Sequence, residues 1–307
     1  MDTTSPIVWL AFNCVVLLLL LIDALVISPI NKEISMRRAL GMTAFWVALA
    51  MAFNVFIYYW LGHQRALEFL TGYVIEQSLS VDNLFVFLLI FGYFKVPPLL
   101  QRKVLFWGIL GAQVMRAVFI LAGVALLNQF HWLIYIFGAF LVFSGIKLFF
   151  EKDKEVDPSK NPMIKLVCKI MPYTDQNPDG KFMVRVNGVL HATPLFLVLV
   201  VVETTDLVFA VDSIPAILAI TKDPFIVYTS NIFAILGLRA MYFALKGLMD
   251  VFHHLHYGLG VILAFVGFKM LAEHYIQIPI AAALGFIAVT LLVSVGTSLL
   301  YPKKPDA

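Results

Sequence analysis

Residues 190–220 read LHATPLFLVLVVVETTDLVFAVDSIPAILAI, a stretch long and apolar enough to cross a bilayer that still holds Glu203, Asp206 and Asp212. A spanning helix needs about 20 apolar residues. An acidic side chain at its centre costs roughly 2.5–3.5 kcal/mol even on the lenient insertion scale. Three in one helix demand either a partner cation or a function.

The rest of the chain agrees with a lipid environment. Of its 307 residues 61% are hydrophobic and only 13% are charged, with a mean hydropathy of +0.91. A water-soluble domain of this length could not hide that much apolar surface. Cys14 lies in an apolar run and Cys168 in a polar loop, which suggests neither a disulfide framework nor a zinc site. The N-terminal apolar stretch has no basic segment before it and no small-residue cleavage site after it. It reads as a retained first span rather than a removable signal, and Asp23 near its end does not change that.

Apolar runs near 7–29, 40–61, 66–94, 104–127, 131–150, 190–220, 225–245, 255–273 and 276–300 predict an all-α, polytopic transmembrane bundle of about nine spans. Alternate loops divide the cations unevenly. One set holds Lys32, Arg37, Arg38, Lys95, Arg102, Lys103, seven more in 151–189, then Lys246, Lys303 and Lys304. The other holds Arg65 and Lys222. This bias places the N-terminus outside and the C-terminus in the cytoplasm. The 151–189 segment reads as a solvated cytoplasmic connector with one hairpin, because Phe182–Val186 alternates and Asn187-Gly188 is a turn pair; a partner-binding role is the alternative. His253, His254 and His256 read as a solvated turn.

Two stretches resemble each other. VDNLFVFLLI from Val81 parallels VDSIPAILAI from Val211, GILGAQVMRA (108–117) parallels AILGLRA (234–240), and FSGIKL (143–148) parallels FVGFKM (265–270). The chain therefore divides into two N-terminal spans (1–65), a first three-span copy (66–150), the loop (151–189), a second copy (190–274), and a last span with its tail (275–307). A copy of three spans must reverse its orientation in the membrane. Inverted repeats mark secondary transporters, whose substrate sites lie near the midplane between the copies.

Glu76 and Asp82 in the third span join Glu203, Asp206 and Asp212 in the sixth as acids within apolar helices. Arg116 and Arg239 are the intramembrane cations available to them, while Lys147 and Lys269 lie near helix ends and are expected to snorkel. Five acids against two arginines leave surplus negative charge, which reads as a cation site. Pro215 removes a backbone donor, so a helix broken near 211–215 is expected to let the acids converge and to free carbonyls as ligands. With Asn83 and Ser213 the donors are oxygens throughout, which suits a hard divalent cation such as Mn²⁺, Mg²⁺ or Ca²⁺.

At these residues the chain resembles the TerC/Alx family of integral membrane proteins. EQSLSVDNLFVF (76–87), ETTDLVFAVDSIPAI (203–217) and TSNIFAILGLRAMYF (229–243) are similar to its signature segments. The resemblance spans nearly the whole chain. It implies export of manganese from the bacterial cytoplasm through the inner membrane, with Glu76, Asp82, Glu203, Asp206 and Asp212 at the acidic positions. Mn²⁺ is then substrate rather than cofactor, and no cofactor is expected; protons are the expected exchange partner and nucleic acid is not a partner. Transport of Ca²⁺ or Mg²⁺, or a role in membrane-protein assembly, are the alternatives. An enzyme is not expected, since no H-E-x-x-H or G-x-S-x-G occurs and no histidine accompanies the acids.

Overall fold

The computed structural model describes residues 5–23, 35–130, 132–150, 162–174, 180–245, 255–272, 274–276 and 278–300. Its helices are α1 (Pro6–Ile22), α2 (Met36–Leu61), α3 (His63–Tyr93), α4 (Pro98–Gln129), α5 (Leu133–Phe150), α6 (Pro162–Ile170), α7 (Pro194–Leu218), α8 (Pro224–Leu245), α9 (Leu255–Ala272) and α10 (Ile280–Leu300). The strands β1 (Met183–Val186) and β2 (Val189–Ala192) form one antiparallel hairpin. Among the described residues six helices are long and apolar enough to cross a membrane, and α1, α5 and α9 supply three shorter apolar ones. The chain is an integral, multi-pass membrane protein.

Helix starts follow local chemistry. Pro6, Pro98, Pro162, Pro194 and Pro224 each stand at the first position of their helices, where a missing N–H costs nothing and φ is already helical. The Asp223 carboxylate accepts from the backbone N–H of Phe225 at 2.9 Å and of Ile226 at 3.3 Å, capping α8. Gly62, at φ 93, turns the chain between α2 and α3. In the hairpin, Asn187 (φ 51) and Gly188 (φ 83) occupy the left-handed region that a two-residue turn requires. The hairpin is thus where the alternating run placed it. The short helix α6 ahead of it was not expected.

The helix α8 is buried along its entire spanning stretch. The helices α2, α3 and α4 pack around it, and α7 packs against both α3 and α4. The helices α5 and α9 form a second, tighter pair. A methyl group added at Gly145 would sit 2.6 Å from the Gly260 carbonyl oxygen, and one added at Gly138 would sit 3.0 Å from that of Gly267. The two backbones touch through their glycines, the usual solution where lipid offers no hydrophobic drive to association. The contact order 138–267, 145–260 also shows that α5 and α9 run antiparallel.

Two boundaries differ from the expected ones in an instructive way. The helices α2, α3 and α4 begin at residues 36, 63 and 98, so Arg37, Arg38, Arg65, Arg102 and Lys103 lie in opening turns rather than in loops. The 7–29 span is helical to Ile22, and its expected end lies outside the described residues.

Because the α9 backbone, not a flexible side chain, faces Gly145, Gly145→Leu should abolish the α5–α9 contact and lower stability by about 1–3 kcal/mol or more. Gly41, which has nothing within 4 Å of an added methyl group, should tolerate the same change. Thermal unfolding in detergent distinguishes the two; equal loss at both positions would contradict the packing described.

Candidate metal site in the bundle

Four helices contribute to one buried polar group. Arg116 of α4 forms an ion pair with Glu76 of α3, and both side chains are fully buried. Its Nη2 lies 3.3 Å from Asp206 Oδ1 of α7, and its Nε donates to Asp206 Oδ2 at 3.5 Å. Its Nη1 also donates to Asn231 Oδ1 of α8 at 2.8 Å, while the Asn231 amide donates to the Val227 carbonyl at 3.0 Å. Ser80 Oγ, one turn after Glu76, donates to Glu76 Oε1 at 3.4 Å. One guanidinium therefore collects oxygen acceptors from α3, α7 and α8. A planar fork of five donors is suited to bridging several acceptors at once.

Glu203 stands apart from this knot. Its carboxylate fills the space that a side chain at Gly111 of α4 would occupy. Its Oε2 is buried without a hydrogen-bond partner among the described residues. Glu203 and Asp206 together line a cavity of about 20 Å³, otherwise walled by Phe87, Val202, Ile235, Leu238 and, from α4, Leu105, Gly108, Ile109 and Ala112. That is room for about one water molecule or a bare ion.

Asp212 goes elsewhere. Its Oδ1 accepts from Ser144 Oγ of α5 at 2.8 Å. The expected helix break at 211–215 is absent: α7 is continuous to Leu218, with Pro215 inside its last turn. There the proline withholds one N–H close to the helix end, where little helix remains to disrupt. Along an unbroken helix six residues turn about 240°, so Asp206 faces α4 while Asp212 faces α5. Asp82 follows Glu76 on α3, and its side chain lies outside the described residues. Asn83 is buried on α3, and Ser213 is buried on α7 with its hydroxyl unpartnered among the described residues. Among the described residues no three His, Cys, Asp or Glu side chains are gathered as a ready metal cage.

Arg239 pairs with Asp23 at the end of α1, at 2.5 Å with both side chains almost fully buried, and lies over the Phe106 ring at 5.8 Å. Asp23 is the residue that reading the sequence undervalued. The signal was an acid closing the apolar run of α1 and an arginine in α8 without a nearby acid. Lys269 is likewise turned inward, donating to the Ala219 carbonyl at the end of α7 at 2.8 Å rather than snorkelling. A third polar group ties the start of α3 to the α7–α8 turn. There Arg65 meets Glu68 at 2.6 Å and Asp223 at 3.5 Å, and Thr221 donates to Glu68 at 2.7 Å.

Comparison with known proteins shows the family. A family model described as "Integral membrane protein TerC family" matches residues 61–306, which include every residue of the Glu76–Arg116–Asp206–Asn231 group. The chain belongs to the TerC family. Within it, the Salmonella typhi protein named membrane-bound redox modulator Alx is 49% identical over 292 residues, covering 92% of this chain and 91% of that one. Its Escherichia coli K12 counterpart of the same name is 47% identical over 292 residues, with the same coverage. A membrane protein of Myxococcus xanthus is 45% identical over 296 residues, covering 96% of this chain and 93% of that one. No solved structure matches the chain.

Removing one member of a buried ion pair costs about 3–5 kcal/mol because the other charge is left uncompensated. Asp23→Asn should therefore destabilise strongly, and adding Arg239→Gln should restore part of the loss. A double-mutant cycle by thermal unfolding measures this. Strictly additive losses would show that the pair is not coupled.

Proposed function

We propose that this TerC-family chain is a secondary transporter that exports divalent metal, manganese before others, from the bacterial cytoplasm across the inner membrane in exchange for protons. The single observation that carries the reading is the oxygen-only constellation inside an apolar bundle. Glu76, Asp206 and Asn231 converge from three helices on Arg116, and Glu203 keeps a buried oxygen without a partner among the described residues beside a small cavity. Carboxylates and an amide carbonyl are the donors that hard cations take. Buried ionisable groups in a membrane bundle mark an ion or substrate path.

The packing supports the two-copy organisation. Exchanging α3 with α7, α4 with α8 and α5 with α9 turns the α3–α8 contact into α7–α4 and leaves the α5–α9 pair unchanged. Aligning FSGIKL with FVGFKM equates Gly145 with Gly267 and Gly138 with Gly260, so the two glycine contacts also exchange with each other. In this reading Glu203, Asp206 and Asp212 come from one copy, Glu76 and Asp82 from the other, and a moving bundle brings them to a common metal. The sixteen-to-two cation bias supports an outside N-terminus and a cytoplasmic C-terminus. Moving a 2+ ion out against an inside-negative potential costs about 4.6 kcal/mol per 100 mV, so proton entry is a fitting drive, and carboxylates can trade a proton for metal.

In proteoliposomes the chain should move Mn²⁺ and acidify the compartment the metal leaves. Apparent Mn²⁺ affinity should fall as pH drops on the binding side, since metal and proton compete for the same carboxylates. Asp206→Asn and Asp212→Asn should each abolish flux, and the double variant should be no worse than either single one. Ca²⁺ or Mg²⁺ flux without Mn²⁺ flux would transfer the reading to those ions. Unchanged flux in both carboxamide variants would refute the shared site.

A further inference from the structure

The acceptors that would hold a cation in this bundle already hold one. Glu76 Oε1, Asn231 Oδ1 and both oxygens of Asp206 all face the Arg116 guanidinium, which is completely buried. A divalent ion bound by the same oxygens would have to stand about 2.0–2.6 Å from each of them, in the space the guanidinium occupies. Metal and guanidinium are mutually exclusive there.

We infer that Arg116 is a tethered competitor of the transported metal: it neutralises Glu76 and Asp206 when the site is empty, must swing off them for metal to bind, and returns to expel the ion. The inference rests on the reading above that divalent metal is the cargo. Glu203 supplies the first step, because it lines the cavity beside Asp206 and keeps a buried oxygen without a partner among the described residues. In this sequence the ion occupies the cavity at Glu203 before Arg116 moves. The position of Gly111 fits the same sequence, since it leaves room for the Glu203 carboxylate one and a half turns before Arg116 on the same helix.

The physical advantage is reversibility. Two buried carboxylates without a counter-charge are costly, so they would bind a divalent ion tightly and release it slowly. A tethered cation lowers that cost in the empty state. It thereby weakens metal binding to a level from which release is fast. Arg116 is then a specificity and turnover residue, not merely a brace between helices.

The test is to measure Mn²⁺ binding by calorimetry and Mn²⁺ flux in proteoliposomes for the wild-type chain, Arg116→Gln and Arg116→Lys. Arg116→Gln should bind Mn²⁺ about tenfold more tightly while its flux collapses, because the metal now takes over neutralising the carboxylates. Its unfolding temperature should be low without metal and rise on adding Mn²⁺ by more than that of the wild type. Arg116→Lys, whose point charge cannot fork across both carboxylates, should lie between. It also covers the case in which Arg116→Gln does not accumulate as folded protein. Binding by the folded variants that equals or falls below a measurable wild-type affinity would overturn the role of Arg116 alone. Absence of Mn²⁺ binding in the wild type and both variants would overturn the metal reading, and this inference with it.

Discussion

A guanidinium buried among carboxylates in an apolar interior is the constraint around which this bundle is built. Arg116 cannot be left alone in an apolar interior, and neither can Glu76 or Asp206. Meeting that demand fixes the rotation of α3, α4 and α7 about the same point and brings Asn231 of α8 into contact with them. The fully buried helix α8 and the surrounding helices α2, α3 and α4 then follow as the apolar packing that such a group requires. Asp23 with Arg239 repeats the buried solution elsewhere in the bundle. Arg65 is more exposed and matches Glu68, one turn along the same helix, and Asp223, which is distant in the chain.

Much of this was legible in the sequence because lipid imposes simple rules. Apolar runs of span length and cations at one set of their ends give the helices and their order. The hairpin was legible from one alternating run and an Asn-Gly pair. The pairing of charges was not. Counting five acids against two arginines left out Asp23, a sixth acid, which pairs with Arg239. Asn231 was invisible as a site residue because a neutral amide carries no insertion penalty large enough to call for explanation. Pro215 misled for a reason of position: a proline breaks a helix in its middle, but this one lies in the last turn of α7, so Asp206 and Asp212 keep facing different neighbours.

That divergence bears on mechanism. With Asp212 against Ser144 of α5 and Asp206 against Arg116 of α4, the acids of α7 are held by different parts of the bundle. The helices α5 and α9 meet backbone to backbone at Gly138, Gly145 and Gly267, with the Leu141 and Leu271 side chains packed into the same seam. For the transport proposed, alternating access around a central site needs two bodies that move against each other, and α7 contacts both the α5 side and the α4 side through its acids.

The central claim, that this TerC-family chain removes manganese from the cytoplasm, is tested most directly by metal content. Cells lacking the chain, complemented by the wild type or by Asp206→Asn, would be loaded with Mn²⁺ and their metals measured by mass spectrometry. Cellular manganese should be raised without the chain, return to normal with the wild type, and fail to return with Asp206→Asn expressed at equal level. Manganese content that is the same in all three would contradict the claim.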